Sequence, residues 1–110
     1  MRIEKINGVN VITVPQELDL LNSDTFKNEV KALIQKGDKL IVLDFSRCDY
    51  LDSSGIGTVV SLHKNALMNG GGLALASLQE GVMKVMQITA LDKILKIFPS
   101  VEEAVEALKK

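Results

Sequence analysis

The chain has few of the side chains that build covalent cross-links or metal sites. It contains one cysteine, Cys48, and one histidine, His63, among 110 residues. A single cysteine cannot form an internal disulfide, and this pair falls short of the four ligands of a structural zinc site. We therefore expect no metal and no cofactor. The low cysteine content is typical of a protein of the reducing cytoplasm.

The chain also lacks an excess of charge of one sign and any long hydrophobic run. Its net charge is −1, whereas a domain that binds nucleic acid directly usually has a basic excess. No apolar run approaches the roughly 20 residues that cross a bilayer. The charged N-terminus has no apolar segment behind it, so it does not look like a signal peptide. We expect neither direct nucleic-acid binding nor a membrane protein.

The hydrophobic content is sufficient for one folded domain, predicted over residues 1–110. Hydrophobic residues make up 46% of the chain and charged residues 25%, which is typical of a globular domain. Asn7-Gly8 predicts a hairpin between strands at 3–6 and 9–14, because both residues tolerate a positive φ. Beyond the hairpin, the apolar patterns predict helices near 22–36, 53–69, 77–88 and 100–109, and strands at 39–45, 73–76 and 94–98.

The predicted order is ββαβαβαβα, an α/β fold whose mixed sheet opens with a β-hairpin and continues with alternating strands and helices. The strand at 39–45 is the most continuously apolar, which is typical of a central strand buried on both faces. Asn22 is placed to cap the first helix. Ser77 with Glu80, and Ser100 with Glu103, match capping boxes at two later helix starts.

Residues 52–57, Asp-Ser-Ser-Gly-Ile-Gly, lie between the central strand and the helix that follows it. In α/β proteins the carboxyl end of a strand is where the sheet presents chemistry. Ser53 or Ser54 would start the helix, where a hydroxyl can cap free N–H groups. Gly55 and Gly57 would let another molecule approach the backbone. Taken alone, this string indicates only a capped helix at a tight corner.

In its context, the segment 50–57 resembles the STAS domain, specifically the anti-sigma factor antagonists of bacteria. Further similar features follow the family's order along nearly the whole chain. Residues 16–19 are similar to a Gly-Glu-Leu-Asp string, with Gln16 in place of the glycine, so this loop is expected to be shaped differently. Residues 88–91 are similar to a Ser/Thr-Gly-Leu turn, with Ala90 where glycine is common.

The resemblance implies a regulator that works by partner switching. The unmodified protein would bind an anti-sigma factor that is also a serine kinase, and so release a sigma factor. The kinase would phosphorylate Ser53 and end the complex, and a serine phosphatase would reset it. Spacing alone does not separate Ser53 from Ser54. The implied partner-binding residues are Asp19, Asp52, Ser53, Ser54, Gly55, Ile56 and Gly57. We expect a cytoplasmic monomer or weak dimer that is not an enzyme.

Three alternatives stay open. A hydrolase would need a base beside its serine, but Ser54 and His63 lie about 13 Å apart along one helix, since each residue rises 1.5 Å. The helical pattern places His63 on an apolar face with Ile56, Val59, Val60 and Leu67. A STAS module could instead bind a nucleotide, a lipid or another protein without a phospho-switch. Finally, residues 52–57 could only cap a helix, and Asp19 could only bond its own loop.

Overall fold

The computed structural model describes residues 1–109, which form a mixed five-stranded sheet with helices on both faces. The strands are β1 (Ile3–Ile6), β2 (Val9–Thr13), β3 (Glu17–Leu18), β4 (Leu40–Asp44), β5 (Tyr50–Leu51), β6 (Gly72–Ala76) and β7 (Lys96–Phe98). The helices are α1 (Ser23–Gln35), α2 (Ser53–Met68), α3 (Glu80–Ile88) and α4 (Val101–Lys109), with a 3-10 turn at Leu91–Lys93. The predicted α/β architecture is confirmed.

The sheet runs in the order β1-β2-β4-β6-β7. Its first pair is an antiparallel hairpin, and every later pair is parallel. Asn7 and Gly8 have φ values of 51° and 81°, the positive values that a two-residue hairpin turn requires. The predicted hairpin is therefore confirmed, with Ile6 facing Val9 across the turn.

β4 occupies the middle of the sheet, and its side chains enter two hydrophobic clusters. Ile41 and Leu43 join the larger cluster, to which α1, α2 and α3 contribute. Val42, which points to the other face of the strand, packs with Ala104 and Val105 of α4. All three β4 residues are fully buried, which confirms the predicted central strand.

Two features of the sheet region differ from the predicted order. β3 and β5 pair in parallel as a separate two-stranded sheet, which the ββαβαβαβα order does not contain. Each has two residues, which is too short for any periodicity to indicate a strand. The last strand begins at Lys96 rather than at 94, because residues 91–93 form the 3-10 turn.

The predicted buried face of α2 was wrong by about one position. The residues that α2 buries are Gly55, Thr58, Val59, Leu62 and Ala66, whereas Leu67 is 52% exposed. The Thr58 hydroxyl donates to the Ser23 carbonyl oxygen at 3.4 Å, so α1 covers this side of the helix. Because α2 carries apolar residues around most of its circumference, its periodicity could not select the face.

Partial burial lowers the pKa of His63, and Lys96 adds to the lowering.

The capping predictions had mixed outcomes. Ser100 caps α4 as predicted, with its Oγ accepting the Glu103 N–H at 3.1 Å. Ser77 does not cap α3, because it has a φ of 61° and the helix begins at Glu80. Asn22 precedes α1, but its side chain makes no cap hydrogen bond to that helix.

Ala90 also has a left-handed conformation, with a φ of 59°. A non-glycine residue is disfavoured there by roughly 1–2 kcal/mol, so this turn favours glycine on physical grounds.

None of the helices within residues 1–109 is long and apolar enough to cross a membrane.

Candidate functional site

The short pair β3 and β5 brings two distant loops together at the start of α2. Glu17 lies opposite Tyr50, and Leu18 lies opposite Leu51. Immediately after these strands, the Asp52 N–H donates to the Leu18 carbonyl oxygen at 3.4 Å. The loop at 19–22 is thereby held against the first turn of α2.

Asp52 connects the loop and the helix through both oxygens of its carboxylate. Oδ1 accepts the Gly55 N–H at 3.0 Å, and Oδ2 accepts the Leu20 N–H at 3.0 Å. Asp52 is therefore the N-cap of α2, and the prediction that Ser53 or Ser54 caps this helix was wrong. The carboxylate lies one residue earlier, where its oxygens reach the free N–H groups of the first turn.

Ser53 and Ser54 are the first two residues of α2, and their exposure separates them. Ser53 is exposed, whereas Ser54 is half-buried. Ser53 is therefore the more accessible of the two serines. A negative group on it would lie at the positive end of the helix dipole, where anions are favoured.

The two glycines of the segment have different environments. Gly55 is buried, and a Cβ placed on it would overlap the Leu18 carbonyl oxygen and the Leu51 side chain. The prediction that Gly55 opens the backbone to another molecule was wrong, because the space is already occupied by β3 and β5. A Cβ on Gly57 would meet nothing within 4 Å, so its proposed contact with a partner stays a prediction. Ile56 is partly buried against the larger cluster.

The loop at 16–22 is held by its own polar groups. Asp19 Oδ1 accepts the Leu21 N–H at 3.0 Å, and Asn22 Nδ2 donates to the Glu17 carbonyl oxygen at 2.7 Å. Gln16, which replaces the glycine of the similar proteins, donates from Nε2 to Asp49 Oδ2 at 3.1 Å. Asp19 thus makes the local bond expected of a loop carboxylate while its loop lies beside the serine.

Leu20 and Leu21 are functional candidates that the sequence analysis did not identify. They are 76% and 91% exposed, and the Leu20 N–H is bound to the residue that precedes Ser53. Two adjacent leucines just before a helix, outside its apolar period, were the available signal. Exposed leucines beside an accessible hydroxyl form an apolar contact surface of the kind that protein partners cover.

Cys48 lies beneath this site and is fully buried. Burial raises the pKa of its thiol, and its Sγ lies 3.4 Å from the Tyr50 carbonyl oxygen. A thiol of raised pKa carries little thiolate and is correspondingly unreactive. Cys48 is thus a buried, structural residue.

We expect Asp52→Ala to lower the free energy of unfolding by about 2–3 kcal/mol, because it removes the helix cap and the bond to Leu20 together. Asp52→Asn keeps one oxygen acceptor and should lose less. Urea denaturation monitored by circular dichroism measures both. Asp24→Ala removes a carboxylate that is 87% exposed and should change stability little. Equal losses for the Asp52 and Asp24 variants would show that Asp52 does not hold the loop.

Comparison with known proteins gives consistent results over nearly the whole chain. The family model described as the STAS domain matches residues 1–104. A Thermotoga maritima protein provisionally named an anti-sigma factor antagonist is 32% identical over 106 residues, covering 96% of this chain and 94% of that protein. A crystal structure of a Thermotoga maritima protein that is likewise provisionally named an anti-sigma factor antagonist superposes on this chain with a TM-score of 0.91 at 31% identity. The superposition covers 99% of this chain and 94% of the other.

The fold is also that of the anti-sigma factor antagonist SpoIIAA. Its unphosphorylated form superposes with a TM-score of 0.82 at 24% identity, covering 98% of this chain and 95% of the other. The phosphorylated form of SpoIIAA from Bacillus superposes with a TM-score of 0.74, also at 24% identity, covering 96% of each chain. At this identity the comparison shows the shared fold. The mixed sheet and the four helices thus belong to one architecture.

Proposed function

The chain belongs to the STAS domain family, among the anti-sigma factor antagonists, and we propose that it controls a sigma factor by partner switching. Unmodified, it binds an anti-sigma factor that is also a serine kinase, and the sigma factor is released. The kinase transfers a phosphoryl group to the Ser53 hydroxyl, and the complex dissociates. A serine phosphatase removes the group and restores the binding form. Ser53 is a substrate in this cycle, so the chain acts as a regulator and not as an enzyme.

The observation that carries this proposal is that Ser53 is exposed at the start of α2, next to Asp52, whose carboxylate holds the loop of exposed Leu20 and Leu21. The anti-sigma factor kinase can therefore cover the two leucines and reach Ser53 at the same time. Burial of two exposed leucine side chains is worth several kcal/mol of association in favourable cases, at about 25 cal/mol per Å². The partner would therefore bury Ser53 as a neutral group within its contact surface.

Phosphorylation would act on this interface more than on the fold. The phosphate carries about −1.5 to −2 charges near pH 7. The helix N-terminus favours it by typically 0.3–1 kcal/mol, while the neighbouring Asp52 carboxylate opposes it by a similar amount. In contrast, a dianion forced against a surface complementary to a neutral serine costs several kcal/mol. Dissociation of the partner thus requires no unfolding. The two named forms of SpoIIAA, unphosphorylated and phosphorylated, support such a cycle.

We expect the cognate anti-sigma factor kinase, supplied with Mg-ATP, to add one phosphate to this chain. Intact-mass measurement of the wild type, Ser53→Ala and Ser54→Ala tests the site. The wild type and Ser54→Ala should gain one phosphate, and Ser53→Ala should gain none. If Ser53→Ala is still phosphorylated and Ser54→Ala is not, the site is Ser54. No phosphate on any variant, with a kinase active on another substrate, would contradict the switch and favour a binding module without it.

A further inference from the structure

The outer surface between α1 and α2 forms a groove whose lining residues, apart from Gly57, have no role in the proposed partner-switching cycle. It has a volume of about 480 Å³ and is lined by Lys31 of α1 and by Gly57, Ser61, Lys64, Asn65 and Met68 of α2, among others. The groove begins one helical turn after Ser53 and follows α2 to its C-terminal end. The Gly57 position is open, because a Cβ there would meet nothing within 4 Å.

The groove is positively charged. Lys31 and Lys64 line it from different helices, and none of the described residues that line it is acidic. Neither lysine forms an ion pair within residues 1–109. The acidic residues of α1 are engaged elsewhere, since Asp24 pairs with Lys27 at 3.5 Å and Glu29 lines a separate cleft beside Phe26. Two lysines that line one groove, with no acidic residue among the described lining residues, favour an anionic occupant.

The groove also offers an apolar contact. Met68 is 84% exposed at the end of α2, and it lines the groove together with Asn65. Methionine is an adaptable apolar side chain that is common at contact surfaces. The occupant should therefore combine carboxylates with an apolar side chain.

We propose that the α1–α2 groove binds an acidic, extended segment of a partner protein. The length of α2 from Gly57 to Met68 is roughly 16 Å at 1.5 Å per residue, which matches about five residues of extended chain at 3.3 Å each. Two lysines suit one or two carboxylates. A nucleic-acid backbone presents a longer series of phosphates and generally meets a longer series of cations, so a protein segment is the better match.

The experiment is a ¹H–¹⁵N NMR titration of the ¹⁵N-labelled chain with a capped hexapeptide of alternating glutamate and leucine. We expect shifts confined to α1 and α2, including the Gly57 backbone amide and the Asn65 side-chain amide. The same peptide with glutamine in place of glutamate should bind about tenfold more weakly or not at all, because it cannot pair with the lysines. Shifts equal for both peptides would overturn the proposal, as would an absence of shifts.

Charge reversal locates the interaction. Lys31→Glu/Lys64→Glu should weaken binding of the acidic peptide about tenfold or more, whereas Lys84→Glu/Lys93→Glu, with the same change in net charge on α3 and the 3-10 turn, should not. Lys31→Gln/Lys64→Gln serves if the reversed pair fails to fold. If both double variants weakened binding equally, the peptide would be attracted by the net charge of the chain and not by the groove, and the proposal would be overturned. Tighter binding of a single-stranded oligonucleotide or an anionic vesicle in the groove would also overturn it.

Discussion

Gly55→Ala should destabilise the fold by about 3 kcal/mol or more, while Gly57→Ala, two residues later on the same helix, should stabilise it by about 0.5–1 kcal/mol. At position 55 the added methyl group would overlap the Leu18 carbonyl oxygen and the Leu51 side chain. A side chain can turn aside, but the carbonyl belongs to the β3 backbone and can move only with its strand.

The loss at Gly55 reaches the candidate site as well as the core. The Leu18 carbonyl oxygen also accepts the Asp52 N–H, so any displacement of β3 disturbs the contact that holds the loop at 19–22 beside Ser53. At Gly57, by contrast, the new Cβ meets open space. There the alanine only removes the entropic disadvantage of glycine within a helix.

Thermal and urea unfolding of the two alanine variants measure this contrast. We expect the unfolding midpoint of Gly55→Ala to fall by roughly 10 °C, given about 4 °C per kcal/mol for a domain of this size. Because both changes replace the same residue type on one helix, Gly57→Ala controls for helix propensity. A Gly55→Ala variant as stable as the wild type would show that α2 does not pack against β3 as closely as described.

Ser53→Asp should weaken binding to the anti-sigma factor kinase by about 100-fold or more, whereas Ser53→Ala should bind as tightly as the unmodified chain and no longer be released by Mg-ATP. Burying the added carboxylate at the interface should cost several kcal/mol of binding free energy, and each 1.4 kcal/mol is about a factor of ten in affinity. Surface plasmon resonance on the purified kinase gives both affinities, and the dissociation rate should carry most of the change.

The control for this charge is Ser100→Asp. Ser100 is also a serine at a helix start, and aspartate caps a helix as well as serine does. The variant adds the same charge on α4, away from Leu20 and Leu21, and should bind normally. If Ser53→Asp kept its affinity, or if Ser100→Asp lost as much, the phosphate would not act through this contact surface.

These expectations assign different tasks to neighbouring residues. Asp52 and Gly55 shape the site from within, because the carboxylate of Asp52 is bound on both oxygens and Gly55 lies against Leu18. Ser53, Leu20 and Leu21 face outward and are available to a partner. Charge can therefore be added at Ser53 without breaking a bond that the fold needs, which is the property that a reversible switch requires.

Local patterns determined much of this fold. Asn7-Gly8 predicted the hairpin because few other residue pairs accept two consecutive positive φ values. The apolar run around Ile41 predicted the central strand because only a strand covered on both faces buries every side chain. The local pattern did not separate Ser53 from Ser54; the choice of Ser53 as the modified residue is what the resemblance of segment 50–57 implies, and it stays a prediction.

Only the tertiary structure decided how the site is assembled. β3 and β5 have two residues each, and the bond from Leu20 to Asp52 joins positions 32 apart in the chain. No local period encodes such a contact, since its energy arises only when the rest of the fold brings the two loops together. The same packing turned Gly55 inward and left Leu20 and Leu21 exposed. Sequence periodicity determines which elements form, whereas the outward or inward direction of a loop residue depends on the neighbours that folding places beside it.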